Sequence, residues 1–327
     1  MKEHRLTNQP ERLDWFQDLG LGLFIHWSFD SLLGIVISHS MVGASKEYLE
    51  RYIHELPKLF NPREFNPDEW AELAKLAGFQ YVVFTTKHHN GFCMYETETT
   101  EFNVMNTPYG KDILNEIVKA FRSVGIHIGF YFSPEDFHFL YKQKKLITRK
   151  GYDAQASNNP ELLSFVKSQI KELLDRHPEV EILFFDAFDN ADIAQYSWQL
   201  KPSMVITRGG MNTPEQKTPK SSLQSPWESC YTLGTQWQFK PTNENYKSGR
   251  ELIEMLIEIR SKGGNFLLNL GPEPNGKVPF EQERRIRELA LWMFVNRECI
   301  YNVRPWKVPR ESGVWYTKAK DSNTVYV

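Results

Sequence analysis

The sequence predicts an α/β fold of the (β/α)8 type, a TIM-like barrel, followed by the start of a C-terminal β domain. Three observations carry this expectation. Short apolar runs alternate with amphipathic helical stretches, the pattern of parallel β/α units. The 327 residues suffice for one such barrel, which typically takes about 250. Several of the apolar runs end in a polar or ionisable residue, which is where a barrel gathers its chemistry.

In chain order, the strands are expected at residues 21–26, 81–86, 127–132, 182–186, 204–207 and 265–269. Each is a short run of apolar and β-branched or aromatic residues. Helices are expected at 67–77, 112–124, 160–176, 250–261 and 281–296. Two of them open on the pair Asn-Pro, at Asn66-Pro67 and Asn159-Pro160. There the Asn side chain can cap the first turn, and Pro occupies a position whose N–H has no partner. Gly78, Gly125 and Gly263 follow helices as C-caps. Between Phe188 and Trp227 the pattern is less regular, so the fifth and sixth units are not delimited. Near the end, Val314-Trp315-Tyr316-Thr317 and Thr324-Val325-Tyr326-Val327 flank the turn-like Asp321-Ser322-Asn323. The barrel is therefore assigned to residues 1–310. Residues 311–327 are assigned to a hairpin that begins a β-sandwich, which the native product is expected to continue past Val327.

Composition narrows the function classes. Lys+Arg number 39 and Asp+Glu 41, a formal net charge of −2. Without an excess of positive charge there is no electrostatic ground for a nucleic-acid partner. No run approaches the roughly 20 apolar residues of a membrane span, so membrane insertion is not expected. The first residues, Met1-Lys2-Glu3-His4, carry no apolar run of the signal-peptide kind, and composition leaves the compartment open. Cys93, Cys230 and Cys299 are odd in number and widely spaced, which suggests neither a disulfide framework nor a zinc motif.

The candidate site follows from the strand ends. His26 ends the first strand. Lys87, His88 and His89 follow the second, Tyr131 and Ser133 close the third, Asp186 ends the fourth, and Arg208 follows the next. In a parallel barrel these ends converge on one face. Asp186 stands directly after Phe184 and Phe185, a costly place for a carboxylate that nothing uses. Its neighbour Asp189 reads as a turn residue. A second carboxyl group beside Asp186 could serve as acid or base, and Glu215 and Glu228 are the downstream candidates. His88 and His89 can both face one site only if the strand breaks at that point, and Gly91 makes such a break feasible. No spaced His or Glu motif of a zinc site is present. No cofactor and no metal are expected.

At these residues the chain resembles glycoside hydrolase family 29, the α-L-fucosidases. Phe24-Ile25-His26-Trp27 is similar to that family's opening motif. Thr85-Thr86-Lys87-His88-His89-Asn90-Gly91-Phe92 resembles its Thr-Lys-His-His-Asp-Gly-Phe motif, and Phe184-Phe185-Asp186-Ala187 its nucleophile motif. Trp227-Glu228-Ser229-Cys230, Gln236-Trp237-Gln238-Phe239 and the stretch from Ser261 through Gly271-Pro272 match further signatures, in order. The resemblance implies hydrolysis of terminal α-L-fucosides by double displacement, with Asp186 as nucleophile and a fucosylated oligosaccharide or glycoconjugate as substrate. It implies that His26, His88, His89, Tyr131 and Arg208 bind the sugar, with Trp237 against its methyl group. Glu47 and Tyr48 resemble a further sugar-binding segment in which Trp usually stands in place of Tyr48. For the acid/base it points to Glu215, with Glu228 and Glu47 as alternatives. The chain departs from the pattern at Ser28, Asn90, Ala187 and Gln238, where Gly, Asp, Gly and Gly are usual, and in the loop 31–45. Two other readings compete: a sugar-binding barrel without catalysis, and a metal-dependent hydrolase using His26, His88 and His89.

Overall fold

The computed structural model describes residues 5–187 and 190–327. Seven parallel strands form one curled sheet: β1 (Leu21–Ile25), β2 (Tyr81–Lys87), β3 (His127–Phe132), β4 (Ile182–Phe185), β5 (Val205–Ile206), β6 (Trp227–Thr232) and β7 (Gly264–Leu270). Their order is β5-β4-β3-β2-β1-β7-β6. The two edges are joined by an irregular stretch in place of an eighth strand. After β5 the chain turns at Thr207, whose carbonyl accepts from Met211 N at 2.7 Å. Asn212 and Glu215 then bridge in parallel to Trp227 and Cys230 of β6.

Helices cover the outside: α1 (Pro10–Leu19), α2 (Lys46–His54), α3 (Pro67–Leu76), α4 (Ile113–Ser123), α5 (Phe137–Lys142), α6 (Pro160–Arg176), α7 (Ala191–Leu200), α8 (Gly249–Ser261) and α9 (Phe280–Asn296). Asn66 Oδ1 accepts from the backbone of Asp68 and Glu69, and Asn159 Oδ1 from Leu162, as the Asn-Pro pairs predict. Among the described residues no helix is long and apolar enough to cross a membrane.

The sequence reading missed β6 and the helices α1, α2, α5 and α7, and for β6 and α1 the physical reason is plain. The run Trp-Glu-Ser-Cys-Tyr-Thr of β6 carries polar residues at buried positions, so it shows no apolar run. Helix α1 buries only Phe16 and Leu19, too little for a periodic stripe. At the C-terminal end the expected hairpin is present as β9 (Val314–Ala319) paired antiparallel with β10 (Val325–Tyr326). A further strand that the reading did not assign, β8 (Val303–Glu311), pairs with the other side of β9. This small sheet is tied to the barrel by ion pairs. Arg304 and Lys320 hold Asp14 and Asp18 of α1, Lys320 Nζ lying 2.7 Å from Asp18. Arg260, fully buried, donates to the carbonyls of Ile300, Gly264 and Gln17.

The barrel interior is filled in layers. Phe16 and Leu19 close the base, with Tyr81, Val205 and Leu267 around them. Above lie Phe24, Tyr131 and Phe184, whose rings pack at 4.9 to 5.8 Å. Strand alternation places His26 and Asp186 next above Phe24 and Phe184. Glu228 belongs to the lower layer. It is fully buried, and its Oε2 accepts from Tyr81 OH at 2.6 Å.

Burial, only partly offset by hydrogen bonds from Tyr81 and Thr207 and the charge of Arg208, pushes the Glu228 carboxyl up from 4.5 to about 7. The folded protein thus keeps a proton that the unfolded chain sheds above pH 4.5. Stability is lost as pH rises from 4.5 to about 7, and the loss, on the order of 3 kcal/mol, is complete above that window. Glu228→Gln keeps the acceptor for Tyr81 and has no proton to lose. Its urea midpoint is expected to fall much less than that of the wild type between pH 4.5 and 8. An equal fall in both proteins contradicts this account.

Candidate active site

Asp186 stands just beyond β4, above Phe184, and the side chains of Arg208, Tyr131 and His89 converge on it. Arg208 Nη1 lies 2.9 Å from Oδ1. Tyr131 OH donates to Oδ2 at 2.8 Å, and His89 Nε2 lies 3.3 Å from the same oxygen. Burial resists ionisation here. The hydrogen bond and charge of His89, with the charge of Arg208, outweigh it and hold the carboxyl well below the usual range. Asp186 is therefore a carboxylate throughout the neutral and mildly acidic range. Asp189 lies outside the described residues.

The two adjacent histidines reach the site because strand β2 breaks its register. Thr85 is opposite Tyr131 but Lys87 is opposite Phe132, so one residue is extra. The chain then turns at Gly91, φ +85°, where a Cβ would meet Asp136 Oδ1 at 2.2 Å. Only glycine meets both demands. Lys87 itself leaves the site and forms a buried ion pair with Asp136 at 2.9 Å.

Hydrogen bonding assigns the tautomers of two rings. His88 Nδ1 accepts from His89 N at 2.9 Å. Burial lowers its pKa well below 6.5, so the ring is neutral and Nε2 carries the proton. His26 Nδ1 lies 2.6 Å from Asn269 Oδ1, while Asn269 Nδ2 donates to Trp237 O at 2.5 Å. The Asn amide is oriented by that second bond, so His26 Nδ1 must donate. Burial lowers its pKa to about 3, so Nε2 is left as an acceptor. One ring thus offers a donor and the other an acceptor, with centroids 5.8 Å apart. Trp237 lies 4.9 Å from the His26 ring and 5.8 Å from Phe24, an apolar wall on the same side.

Of the two downstream carboxylates, Glu215 is at this site and Glu228 lies beneath it. Glu215 Oε2 is 3.0 Å from Arg208 Nη1, the nitrogen that also binds Asp186. Two oxygens on one nitrogen at these distances stand at most about 6 Å apart. That fits the roughly 5–5.5 Å of retaining glycosidases and falls short of the roughly 6.5–9.5 Å of inverting ones. Glu215 is 44% exposed, so solvent reaches it. Glu47 and Tyr48 are not brought to this cluster. Glu47 is exposed at the start of α2 beside its cap Ser45, and Tyr48 stacks on Tyr52 at 5.8 Å.

His88, His89 and Asp186 bring three donor atoms within 4.8 Å of one another, a spacing that would suit a cation. The carboxylate is already neutralised by the guanidinium at 2.9 Å, and His26 is committed to Asn269. The set thus fits an organic ligand better than a metal.

Sequence reasoning missed the roles of four residues. Asn269 orients His26 from the neighbouring strand β7, opposite Phe24. Ser133 Oγ, noted only as a strand end, lies 2.5 Å from His89 Nδ1. Glu135 and Arg149 lie beyond Ser133, with nothing in their spacing to mark them.

The arrangement has an aromatic floor and wall, neutral rings for hydroxyl groups, and two carboxylates about one guanidinium. Comparison with known proteins identifies the family. The sequence model of the α-L-fucosidase family matches residues 2–298. An α-L-fucosidase of Dictyostelium discoideum is 28% identical, over 95% of this chain and 76% of its own length. The tissue α-L-fucosidase of Mus musculus is 30% identical, over 93% and 75%. Among solved structures, α-L-fucosidase isoenzyme 1 of Paenibacillus thiaminolyticus superposes with a TM-score of 0.82 at 28% identity, covering 94% of this chain and 81% of the other. A trapped covalent intermediate of a family 29 α-L-fucosidase from Bacteroides thetaiotaomicron, formed with 2-fluoro-fucosyl fluoride, gives 0.83 at 26%, covering 99% and 83%. With these matches over nearly its whole length, the chain belongs to the α-L-fucosidase family of glycoside hydrolases.

Proposed function

We propose that the chain hydrolyses terminal α-L-fucosides of oligosaccharides or glycoconjugates with retention, Asp186 acting as nucleophile and Glu215 as acid/base. The observation that carries this is the shared guanidinium. Arg208 Nη1 holds both carboxylates at 2.9 and 3.0 Å, which keeps their near oxygens within about 6 Å and is compatible with the retaining arrangement.

The chemistry runs in two steps. Asp186 Oδ attacks the anomeric carbon, the glycosidic bond breaks, and its electron pair leaves on the departing oxygen, which takes a proton from Glu215. Water then attacks the glycosyl ester and gives a proton to Glu215. The electron pair of the ester bond returns to Asp186. A partly exposed carboxyl such as Glu215 can be recharged by solvent, whereas Glu228 has no such access. The Nε2 atoms of His26 and His88 suit one hydroxyl as acceptor and one as donor, and Trp237 suits the C–H face and methyl group of the sugar. The network that binds Asp186 argues against a sugar-binding barrel without catalysis, because a lectin site has no need of a strongly ionised carboxylate over an aromatic floor.

Asp186→Gly is expected to fold and to lose nearly all turnover of an aryl α-L-fucoside. Added azide should restore it by direct attack and give β-L-fucosyl azide, identified by NMR. Failure of rescue, or an α-configured product, removes Asp186 from the nucleophile's role. Glu215→Ala should slow sugar or alkyl fucosides far more than activated aryl ones, because a good leaving group needs no proton. If Glu228→Gln shows that selectivity and Glu215→Ala does not, the acid/base is Glu228. Activity should be unchanged after prolonged treatment with a strong chelator. Loss of activity, with recovery on adding one divalent metal, supports the metal-dependent reading instead.

A further inference from the structure

Glu135 is a buried carboxylate that the reaction above does not use. It follows β3 in Ser133-Pro134-Glu135-Asp136 and is 1% exposed. Neither carboxylate oxygen has a hydrogen-bond partner among the described residues. Its charged neighbours are Arg149, with Nε 3.1 Å from Oε2, and His89, with Nδ1 3.8 Å from the same oxygen. His39, from the loop after β1, also faces this pair. The carboxylate of Asp136 is turned away, onto Lys87 at 2.9 Å. An unpaired carboxylate at such a depth would cost several kcal/mol, so nearby positive charge has to offset it.

The protons on His89 follow from its partners. Ser133 Oγ donates its only proton to Glu135 O at 2.8 Å. Toward His89 Nδ1, 2.5 Å away, it can therefore only accept. On the other side of the ring, Nε2 faces Asp186 Oδ2 at 3.3 Å without the alignment of a hydrogen bond, and a bare lone pair there would be repelled by the ionised carboxylate. Both nitrogens then carry protons, and the ring is a cation between two carboxylates.

We infer that Glu135, backed by Arg149, is a positioning residue that keeps His89 doubly protonated against the nucleophile. The inference rests on Asp186 being that nucleophile. Its use lies in the second step. In the glycosyl ester Asp186 bears no charge, and Glu135 is then the carboxylate that still holds the imidazolium. When water attacks, the ester bond breaks with its electron pair returning to Asp186 and a water proton passing to Glu215, and the imidazolium is already in place beside the re-forming carboxylate. The charged or titratable groups facing Asp186 are His89, Arg208, His88, His26 and Tyr131, with Glu215 and Cys230 beyond Arg208. Of these, His89 is the one that Glu135 touches.

The test is the pH profile of kcat/KM on an aryl α-L-fucoside for wild type, Glu135→Gln and Glu135→Asp. With Glu135 neutralised, the imidazolium loses the carboxylate that secures its second proton, and the cation beside Asp186 is lost earlier as pH rises. The basic limb moves to lower pH, so that kcat/KM at a fixed pH on that limb falls about tenfold for a one-unit move. Glu135→Asp should recover most of the wild-type limb. An active Glu135→Gln enzyme with an unmoved limb overturns the proposal, since a residue that only supports packing would leave the limb in place. A second measurement needs no folded variant at Glu135. In the 15N-histidine-labelled wild type at pH 7, the signals of His89, assigned by their loss in His89→Gln, should report two protonated nitrogens. A singly protonated ring overturns the proposal. Absence of fucosidase turnover in the wild type sinks the functional reading instead, and the NMR result still decides the state of His89.

Discussion

The site depends on keeping one carboxylate ionised in a place that disfavours charge. Asp186 stands over Phe184 within the barrel, where burial raises its pKa and so disfavours the charge. Positive groups on either side reverse that outcome. They form a line of alternating charge. Arg149 meets Glu135 at 3.1 Å, Glu135 meets His89 at 3.8 Å, His89 meets Asp186 at 3.3 Å, and Arg208 joins Asp186 to Glu215 at 2.9 and 3.0 Å. Each ion has opposite charge on its neighbours, so the cost of burying any one is shared along the line. Removing an interior member exposes two unpaired charges, which is why no single residue here can be treated alone.

The fold supplies that line through strand geometry. Period-two alternation lifts His26 and Asp186 directly above the ring layer of Phe24, Tyr131 and Phe184. The bulge between Thr85 and Lys87 and the turn at Gly91 place His88 and His89 together, where a regular strand would send them to opposite faces. The irregular closure between β5 and β6 has a similar effect. It carries Arg208 and Glu215 on one short stretch of chain, so the guanidinium reaches across to Asp186 while its neighbour's carboxylate stays partly open to solvent. A regular eighth strand with a covering helix would not hold both in reach of Arg208.

Much of this was legible in the sequence, and the limits have physical causes. Strands with pure apolar runs, such as those ending at His26 and Asp186, announce themselves because burial on both faces demands them. Strand β6 does not, since Glu228, Ser229 and Thr232 are buried by pairing with partners from distant segments. The same applies to Asn269, Glu135 and Arg149. Their roles come from neighbours across the sheet or beyond a loop, and no local spacing encodes that. Glu47 differs from these. It sits in a segment resembling a sugar-binding one, and the helix that carries it leaves the side chain in solvent, a placement that the local resemblance does not encode.

Two of the departures from the family pattern explain one another. Ser28 and Asn90 stand where Gly and Asp are usual, and Asn90 Nδ2 lies 3.2 Å from Ser28 Oγ. The same amide lies 3.2 Å from Asp30 Oδ2, and Tyr52 OH donates to that oxygen at 2.7 Å. Burial raises the Asp30 carboxyl to about 6, against hydrogen bonds from Tyr52 and Asn90 that lower it. A second carboxylate at position 90 would face Asp30 across 3.2 Å and force one of the pair to stay protonated. An amide there donates to Asp30 and, through Oδ1, accepts from Phe92 N at 2.9 Å, so it holds the turn that follows His89. The residues at 28 and 90 thus hold the backbone that carries His88 and His89 by hydrogen bonds that never touch Asp186.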